Sequence, residues 1–355
     1  MVKILGEEFT RKELMRHFGD YKVAAGYKSY TLRDGRGEQI KICEINSGSG
    51  LRFEVIESRG MDIGCCYFKE LPISYRSYNQ DVHPSYYEAY EDGWLRSFSG
   101  GLLVCGGLTS MGSAQKDKGE ILPLHGRISN IPAQQFHVSE KWRDDDLYFD
   151  IHGIVKETKA LSYHLTLDRH ILVKAGENKF TIHDIIRNDG FEDMEHMMLY
   201  HFNIGYPILD RDTRFYANSL NVEPRDDIAK NREDAYNIYL GPTPHYPDTV
   251  YYHNIQETNG WCKAAIINHK RNIGFTLKYK KDTLDHFTQW KFTGEGNYVA
   301  GLEPCNARVN GRSIERDEGR LKVLKAQTQI EYEIEVSILN GNEEIKTYLR
   351  EENLL

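Results

Sequence analysis

No apolar run in the 355-residue chain approaches the roughly 18 residues that a membrane-spanning helix requires. Clustered cations are missing as well. With 45 Lys and Arg against 53 Asp and Glu, the formal net charge is -8 and no basic block occurs. Nucleic-acid and anionic-membrane partners, which need grouped cations that release counterions, are therefore disfavoured. The N-terminus, Met1 to Glu8, has too short a hydrophobic stretch for a secretory leader and soon turns acidic, so a cytoplasmic location is expected. The six cysteines, Cys43, Cys65, Cys66, Cys105, Cys262 and Cys305, contain no C-x-x-C, and the adjacent pair would point to opposite faces of a strand. Reduced thiols acting as small apolar fillers are expected. Fourteen histidines include no His-x-x-x-His beside a carboxylate and no zinc-type cluster, the nearest pairings in sequence being His196 with His201 and His245 with His253. The glycines from Gly100 to Gly107 form neither a Walker A nor a G-x-G-x-x-G pattern, and close strand packing explains them better. No metal and no cofactor are expected.

Linkers and repeats are also lacking, which favours a single domain over residues 21–340, preceded by an arm (1–20) and followed by a polar tail (341–355) that is a helix or a frayed end. Helix signals are few. Thr10-Arg-Lys-Glu13 reads as a capping box opening a short helix that stops near Gly19. Elsewhere the chain alternates. Ala160 to Leu167, Ile171 to Lys174 and Lys179 to Ile186 read as strands separated by Asp168-Arg169 and Gly176-Glu177-Asn178, and Asn188-Asp-Gly190 reads as a turn. The charged stretch Glu140 to Asp146 reads as a hairpin loop. This rhythm implies a large antiparallel all-β fold.

Within that pattern three segments carry chemistry. In Tyr298-Val-Ala-Gly-Leu-Glu-Pro-Cys-Asn306, alternation places Val299, Gly301 and Glu303 on one face, with Gly301 leaving space beside the carboxylate. Pro304, which lacks an N–H, is expected to end the pairing there. Glu303 reads as a general base or as half of a buried ion pair. In Met197 to Gly205 the same alternation puts Leu199, His201 and Asn203 on one face, where His201 is a catalyst or a satisfied core histidine. Leu122-Pro-Leu-His-Gly-Arg-Ile128 sets His125 and Arg127 two residues apart, for ligand contact or as part of a loop. Trp290 and Phe292 offer a stacking face or core packing.

The order and wording of these segments resemble the aldose 1-epimerase, or galactose mutarotase-like, superfamily. Ser58-Arg-Gly-Met-Asp-Ile-Gly64, Gly100 to Leu108, His125-Gly-Arg127 and Gly301 to Asn306 narrow the resemblance to its DUF4432 branch, over roughly residues 20 to 340. The resemblance implies a β-supersandwich with the sugar site in a concave, strand-lined groove. It implies His125 as a sugar ligand, His201 as general acid and Glu303 as general base, interconverting the anomers of an aldose by ring opening and closure. His125, Arg127, Asn203 and Asn306 would orient hydroxyls. The chain departs from typical mutarotases in Leu-His-Gly-Arg, where Leu-His-Gly-Gly is usual, so the identity of the sugar is not inherited. Arginines recur in or beside the motifs, at Arg59, Arg96, Arg127 and Arg308. They lead to the expectation of a sugar carrying an acidic group, the alternative being structural ion pairs with Glu57, Asp62 and other acids. Epimerisation, isomerisation or elimination on a modified sugar, and non-enzymatic sugar binding, remain competing functions.

Overall fold

Period-two alternation along the middle of the chain becomes a set of long antiparallel hairpins. In the computed structural model, which describes residues 1–232 and 234–354, the strand Asp146–Thr158 buries Leu147, Phe149, Ile151 and Val155 and turns the intervening residues outward. It belongs to an eight-stranded sheet. In spatial order the strands are Gln134–Arg143, Asp146–Thr158, His164–Lys174, Lys179–Asn188, Gln329–Asn340, Ile273–Lys280, Trp261–Asn268 and Thr213–Ala217. A twelve-stranded sheet has at its centre His286–Thr293, Tyr298–Cys305, Met194–Ile204, Leu103–Leu108 and Asp62–Phe68. The apolar faces of the two sheets close on one core, where the ring centroids of Phe53 and Phe180, one from each sheet, lie 4.5 Å apart. The result is the β-supersandwich with few short helices.

Local signals appear where the chain predicts them. The helix Arg11–His17 starts at Thr10, whose hydroxyl accepts from the Glu13 N–H while the Glu13 carboxylate accepts from the Thr10 N–H. The tail forms the helix Asn342–Glu351, which lays Ile345 and Leu349 against Ala265, Ile267 and Leu339. The charged stretch Glu140 to Asp146 is tighter than a loop, because pairing continues to Arg143 opposite Asp146 and leaves Asp144 and Asp145 to turn.

Two expectations are corrected. Asp168-Arg169 does not separate strands, since His164–Lys174 runs straight through it. The physical reason is that Arg169 faces inward, wholly buried, and is satisfied there. Its Nε and Nη2 donate to the two oxygens of Asp184 at 2.8 and 2.6 Å, its Nη1 to the carbonyls of Gly60 and Met61, and its Nη2 to Cys105 Sγ. The hydroxyl of Tyr200, on the opposite sheet, donates to Asp184 at 2.6 Å. Nor does pairing end at Pro304, which sits opposite Phe287 inside Tyr298–Cys305. Instead the ladder to Met194–Ile204 lapses between the pairs Leu199 with Cys305 and Phe202 with Leu302, where Pro304 has no N–H to give.

Removing one member of a buried ion pair strands the other charge in low dielectric. Arg169→Ala is therefore expected to cost about 3–5 kcal/mol of unfolding free energy, while the paired change Arg169→Met with Asp184→Leu costs less than the single one. Urea unfolding of the three proteins checks this. A loss below about 1 kcal/mol for Arg169→Ala, the scale of an exposed pair, would show that Arg169 is not holding the core together.

Candidate active site

His201 and Glu303 meet because two neighbouring strands share a register. Phe202 pairs with Leu302 and Leu199 with Cys305, which sets His201 opposite Glu303. Alternation then separates the two faces of each strand. Met198, Tyr200, Phe202, Ala300 and Leu302 enter the core between the sheets, whereas His201, Val299 and Glu303 turn to the other side and line a cavity of about 590 Å³. His201 Nε2 and Glu303 Oε1 stand 3.2 Å apart, both side chains almost wholly buried. The contact is not aligned as a hydrogen bond, and Glu303 Oε1 and His201 Nδ1 have no partner in the protein. Gly301 makes the arrangement possible. A Cβ there would lie within 2.9 Å of the Trp290 Cβ and still closer to Glu303 Oε1, so the space beside the strand is filled by the folded-over carboxylate.

The cavity walls are aromatic. Trp94, Phe98, Trp290, Phe292 and Tyr75 line them, with the Trp290 ring centroid 5.4 Å from that of His201. His125 adds an imidazole edge-on to His201, the centroids 5.6 Å apart, and its Nδ1 too is without a partner. The ring is presented by a left-handed backbone, with φ of 54° at His125 and 78° at Gly126. Only glycine fits at 126, where a Cβ would strike the carbonyl oxygens of Ser110 and Gly107. Arg225 and Asp248 form the polar side of the wall. Arg225 Nη2 bonds Asp248 at 3.1 Å and its Nε bonds Asp226 at 3.0 Å, and the Trp290 indole N–H donates to Asp248.

Burial sets the protonation of this cluster. It pushes His201 down to about 4, against a smaller opposing effect of Asn203. It pushes His125 down to about 3, helped by His201. Burial raises Glu303 well above 4.5, helped by Asp248 and opposed by Arg225. Imidazole and carboxyl both favour their neutral forms, because burial leaves neither charge well solvated. The resemblance implies the opposite assignment, a protonated His201 beside an ionised Glu303.

The structure thus brings His125, His201, Trp290 and Glu303 together and leaves the other expected ligands outside. Asn203 is wholly buried and donates to the carbonyls of Gly101 and His201, fixing the strand behind the imidazole. Asn306 accepts from the Met198 N–H and donates to Tyr332, pinning the Glu303 strand to the His201 strand. Arg127 donates to the Ile121 carbonyl, and Arg59 is buried against the Val82 carbonyl. Arg96 pairs with Glu88, and Arg308 holds both oxygens of Glu223. None of Asn203, Asn306, Arg59 and Arg127 lines the cavity, and each has polar atoms bound to the scaffold, although Asn203 Oδ1 and Arg127 Nη1 are buried without a partner. Sequence reasoning missed Arg225, Asp248, Trp94 and Phe98. No local pattern marks them, and only the fold carries their loops to the groove. Cys105 and Cys305 lie outside the cavity wall, and burial pushes both thiols up, away from a reactive thiolate.

Two antiparallel sheets with a strand-lined groove, and an imidazole facing a carboxyl at its floor, make up a galactose mutarotase-like fold. The chain belongs to the family described as domain of unknown function DUF4432, whose model matches residues 37–338. Solved structures agree on the fold. A Klebsiella pneumoniae protein provisionally described as an aldose 1-epimerase superposes with a TM-score of 0.87 at 24% identity, covering 93% of this chain and 88% of its own. A galactose mutarotase-like protein from Clostridium acetobutylicum gives 0.62 at 13% identity, over 90% and 99% of the two chains. Galactose 1-epimerase from Lactobacillus acidophilus gives 0.57 at 11%, over 89% and 99%. No curated protein matches the chain.

The raised Glu303 carboxyl has a consequence for stability. The folded state keeps its proton above 4.5 while the unfolded chain loses it. The contribution is thus intact below pH 4.5 and is lost as pH climbs through the raised folded value, at about 1.4 kcal/mol per pH unit. Glu303→Gln, which cannot ionise, should melt at or above the wild-type temperature, with a gap that widens from pH 5 to pH 8. A gap that narrows over that range would mean the carboxylate is ionised and stabilised in the fold.

Proposed function

We propose that this chain is a carbohydrate-active isomerase of the aldose 1-epimerase type, opening and closing a sugar hemiacetal with His201 and Glu303. One observation carries the reading: an imidazole and a carboxyl face each other at 3.2 Å on the floor of an aromatic groove. In a cyclic aldose the O1 hydroxyl and the ring oxygen sit on the same carbon. A base for the first and an acid for the second must therefore stand side by side.

The reaction needs one proton on the pair. With burial favouring neutral groups, His201 Nε2 takes the O1 proton while the Glu303 carboxyl gives its proton to the ring oxygen, and the C1–ring-oxygen bond breaks to leave an aldehyde. Rotation about the C1–C2 bond and closure with the roles exchanged gives the other anomer. The acid and base roles are thus the reverse of those the family resemblance implies, although the pair carries the same single proton in both schemes. His125 contributes a neutral ring nitrogen to a sugar hydroxyl. Trp290, Trp94 and Phe98 present flat faces for the C–H surface of the ring. A cytoplasmic location, in keeping with six free cysteines, completes the reading.

The sugar is read as neutral. None of Arg59, Arg96, Arg127 and Arg308 lines the cavity, and the cation that does, Arg225, already serves Asp226 and Asp248. The expectation of an acidic substrate loses its carriers. In a thermal-shift panel, free aldohexoses should raise Tm more than the matching uronates or sugar phosphates at equal concentration. A larger shift with any acidic sugar would reverse this assignment.

Polarimetry on freshly dissolved sugar tests the chemistry. His201→Asn and Glu303→Gln should each slow anomer exchange by about 100-fold or more. The rate of the wild type should fall as pH drops through about 4, where His201 gains its proton, and again at alkaline pH as Glu303 ionises. Asp248→Asn removes a negative charge that raises the Glu303 value, so its alkaline limb should move to lower pH. Near wild-type rates in either pair variant would remove that residue from the mechanism.

A further inference from the structure

On the outer face of the eight-stranded sheet, away from the groove, four histidines line up across four adjacent strands. His137 pairs with His152, His152 with His170, and His170 with His183. Sequence spacing hides the row, because its members are 13 to 18 residues apart and come together only through hairpin register. Asp168 stands beside the middle two. His152 Nε2 lies 2.7 Å and His170 Nε2 3.7 Å from the same oxygen, Asp168 Oδ1, and one ligand atom from each of the three residues falls within 4.8 Å of the others. We propose that His152, His170 and Asp168 bind a divalent transition-metal cation of the zinc class.

The ligand chemistry fits. Two imidazoles and a carboxylate suit zinc and its neighbours and do not suit calcium or magnesium, which take oxygen. The spacing fits as well. A tetrahedral ion with bonds of about 2.0–2.1 Å holds its ligand atoms about 3.3 Å apart, and the observed 2.7 and 3.7 Å bracket that value. Small side-chain rotations of these partly buried groups close the difference.

The outer ring of contacts is built as metal sites build it. His170 Nδ1 lies 2.9 Å from Asp150 Oδ1, so the N–H is given to a carboxylate and the Nε2 lone pair is turned toward Asp168. Such a carboxylate–histidine arrangement fixes the tautomer and raises ligand basicity. Arg187 Nη1 holds the second oxygen of Asp168 at 3.0 Å, leaving Oδ1 to the imidazoles. Binding takes the place of the direct His152–Asp168 contact. Three protein ligands leave a coordination position to water. Because His152, Asp168 and His170 belong to neighbouring strands, the ion would cross-link the sheet and stabilise the fold by mass action.

Isothermal titration of zinc chloride into protein lacking a polyhistidine tag and stripped with chelator tests the site, with cobalt(II) absorption as a second readout. Expected are one equivalent per chain, a Tm that rises until that equivalent is bound, and visible ligand-field bands of tetrahedral intensity. His152→Gln and His170→Gln should each abolish the bands, Asp150→Asn should weaken affinity about 10- to 100-fold, and His201→Asn should change nothing. No uptake by the wild type, or uptake unaltered in His170→Gln, would overturn the proposal and leave the row as solvated Asp–His pairs.

Discussion

The buried pair of Arg169 and Asp184, on neighbouring strands of the eight-stranded sheet, reaches across the core to Gly60, Met61, Cys105 and Tyr200 and so ties that sheet to the one that carries His201 and Glu303. A guanidinium with no solvent exposure is tolerated because its donors are taken up by Asp184, by the carbonyls of Gly60 and Met61 and by Cys105. Gly60 and Met61 lead into Asp62, whose carboxylate accepts from the Cys105 N–H at 3.0 Å. Burial pushes that carboxyl up to about 6 against the pull of Arg59 and Arg169. Through these contacts and that of Tyr200 with Asp184, the buried pair joins the central strands of both sheets behind the groove.

Tyr200 links this bridge to the chemistry. Its hydroxyl donates to Asp184, and the next residue, His201, points to the other face of the same strand. The strand is held from behind by a polar contact and from the side by Asn203 and Asn306, so the imidazole faces the cavity on a rigid backbone. In the groove the logic reverses. His125 Nδ1, His201 Nδ1 and Glu303 Oε1 lack partners, and their hydrogen-bonding capacity is left for a ligand. Desolvation costs stability there, as it does wherever a site keeps titratable groups unpaired, and it favours a neutral imidazole beside a neutral carboxyl.

Aromatic walls follow from the same geometry. Gly301 and Val299 keep the strand surface low, Trp290 comes from the adjacent strand opposite Gly301, and Trp94 with Phe98 arrive from a loop segment that packs as a stacked pair 4.6 Å apart. The floor is therefore polar and narrow while the sides are flat and apolar, a shape suited to a ring with hydroxyls at its rim and C–H groups on its faces.

The amino-acid sequence by itself determined what depends on neighbours along the chain. That covers the faces of the strands around His201 and Glu303, the capping box at Thr10, the turns at Gly176 and Asn188, and the all-β class, because a two-residue period and a turn are local geometry. It misjudged Arg169 as a break, since a charged pair of residues looks like a turn until a carboxylate from the next strand is brought to meet it. It grouped Asn203, Asn306, Arg59 and Arg127 with the ligand, whereas none of them lines the cavity, because motif proximity does not say where a side chain's partners are. The tertiary structure alone decided that His201 stands opposite Glu303 across 102 positions of chain, that Arg225, Asp248 and Trp94 complete the wall, and that four histidines form a row. Those relations rest on strand register. Register is settled by the packing of the whole two-sheet core, and the burial that packing brings sets the protonation of His201 and Glu303.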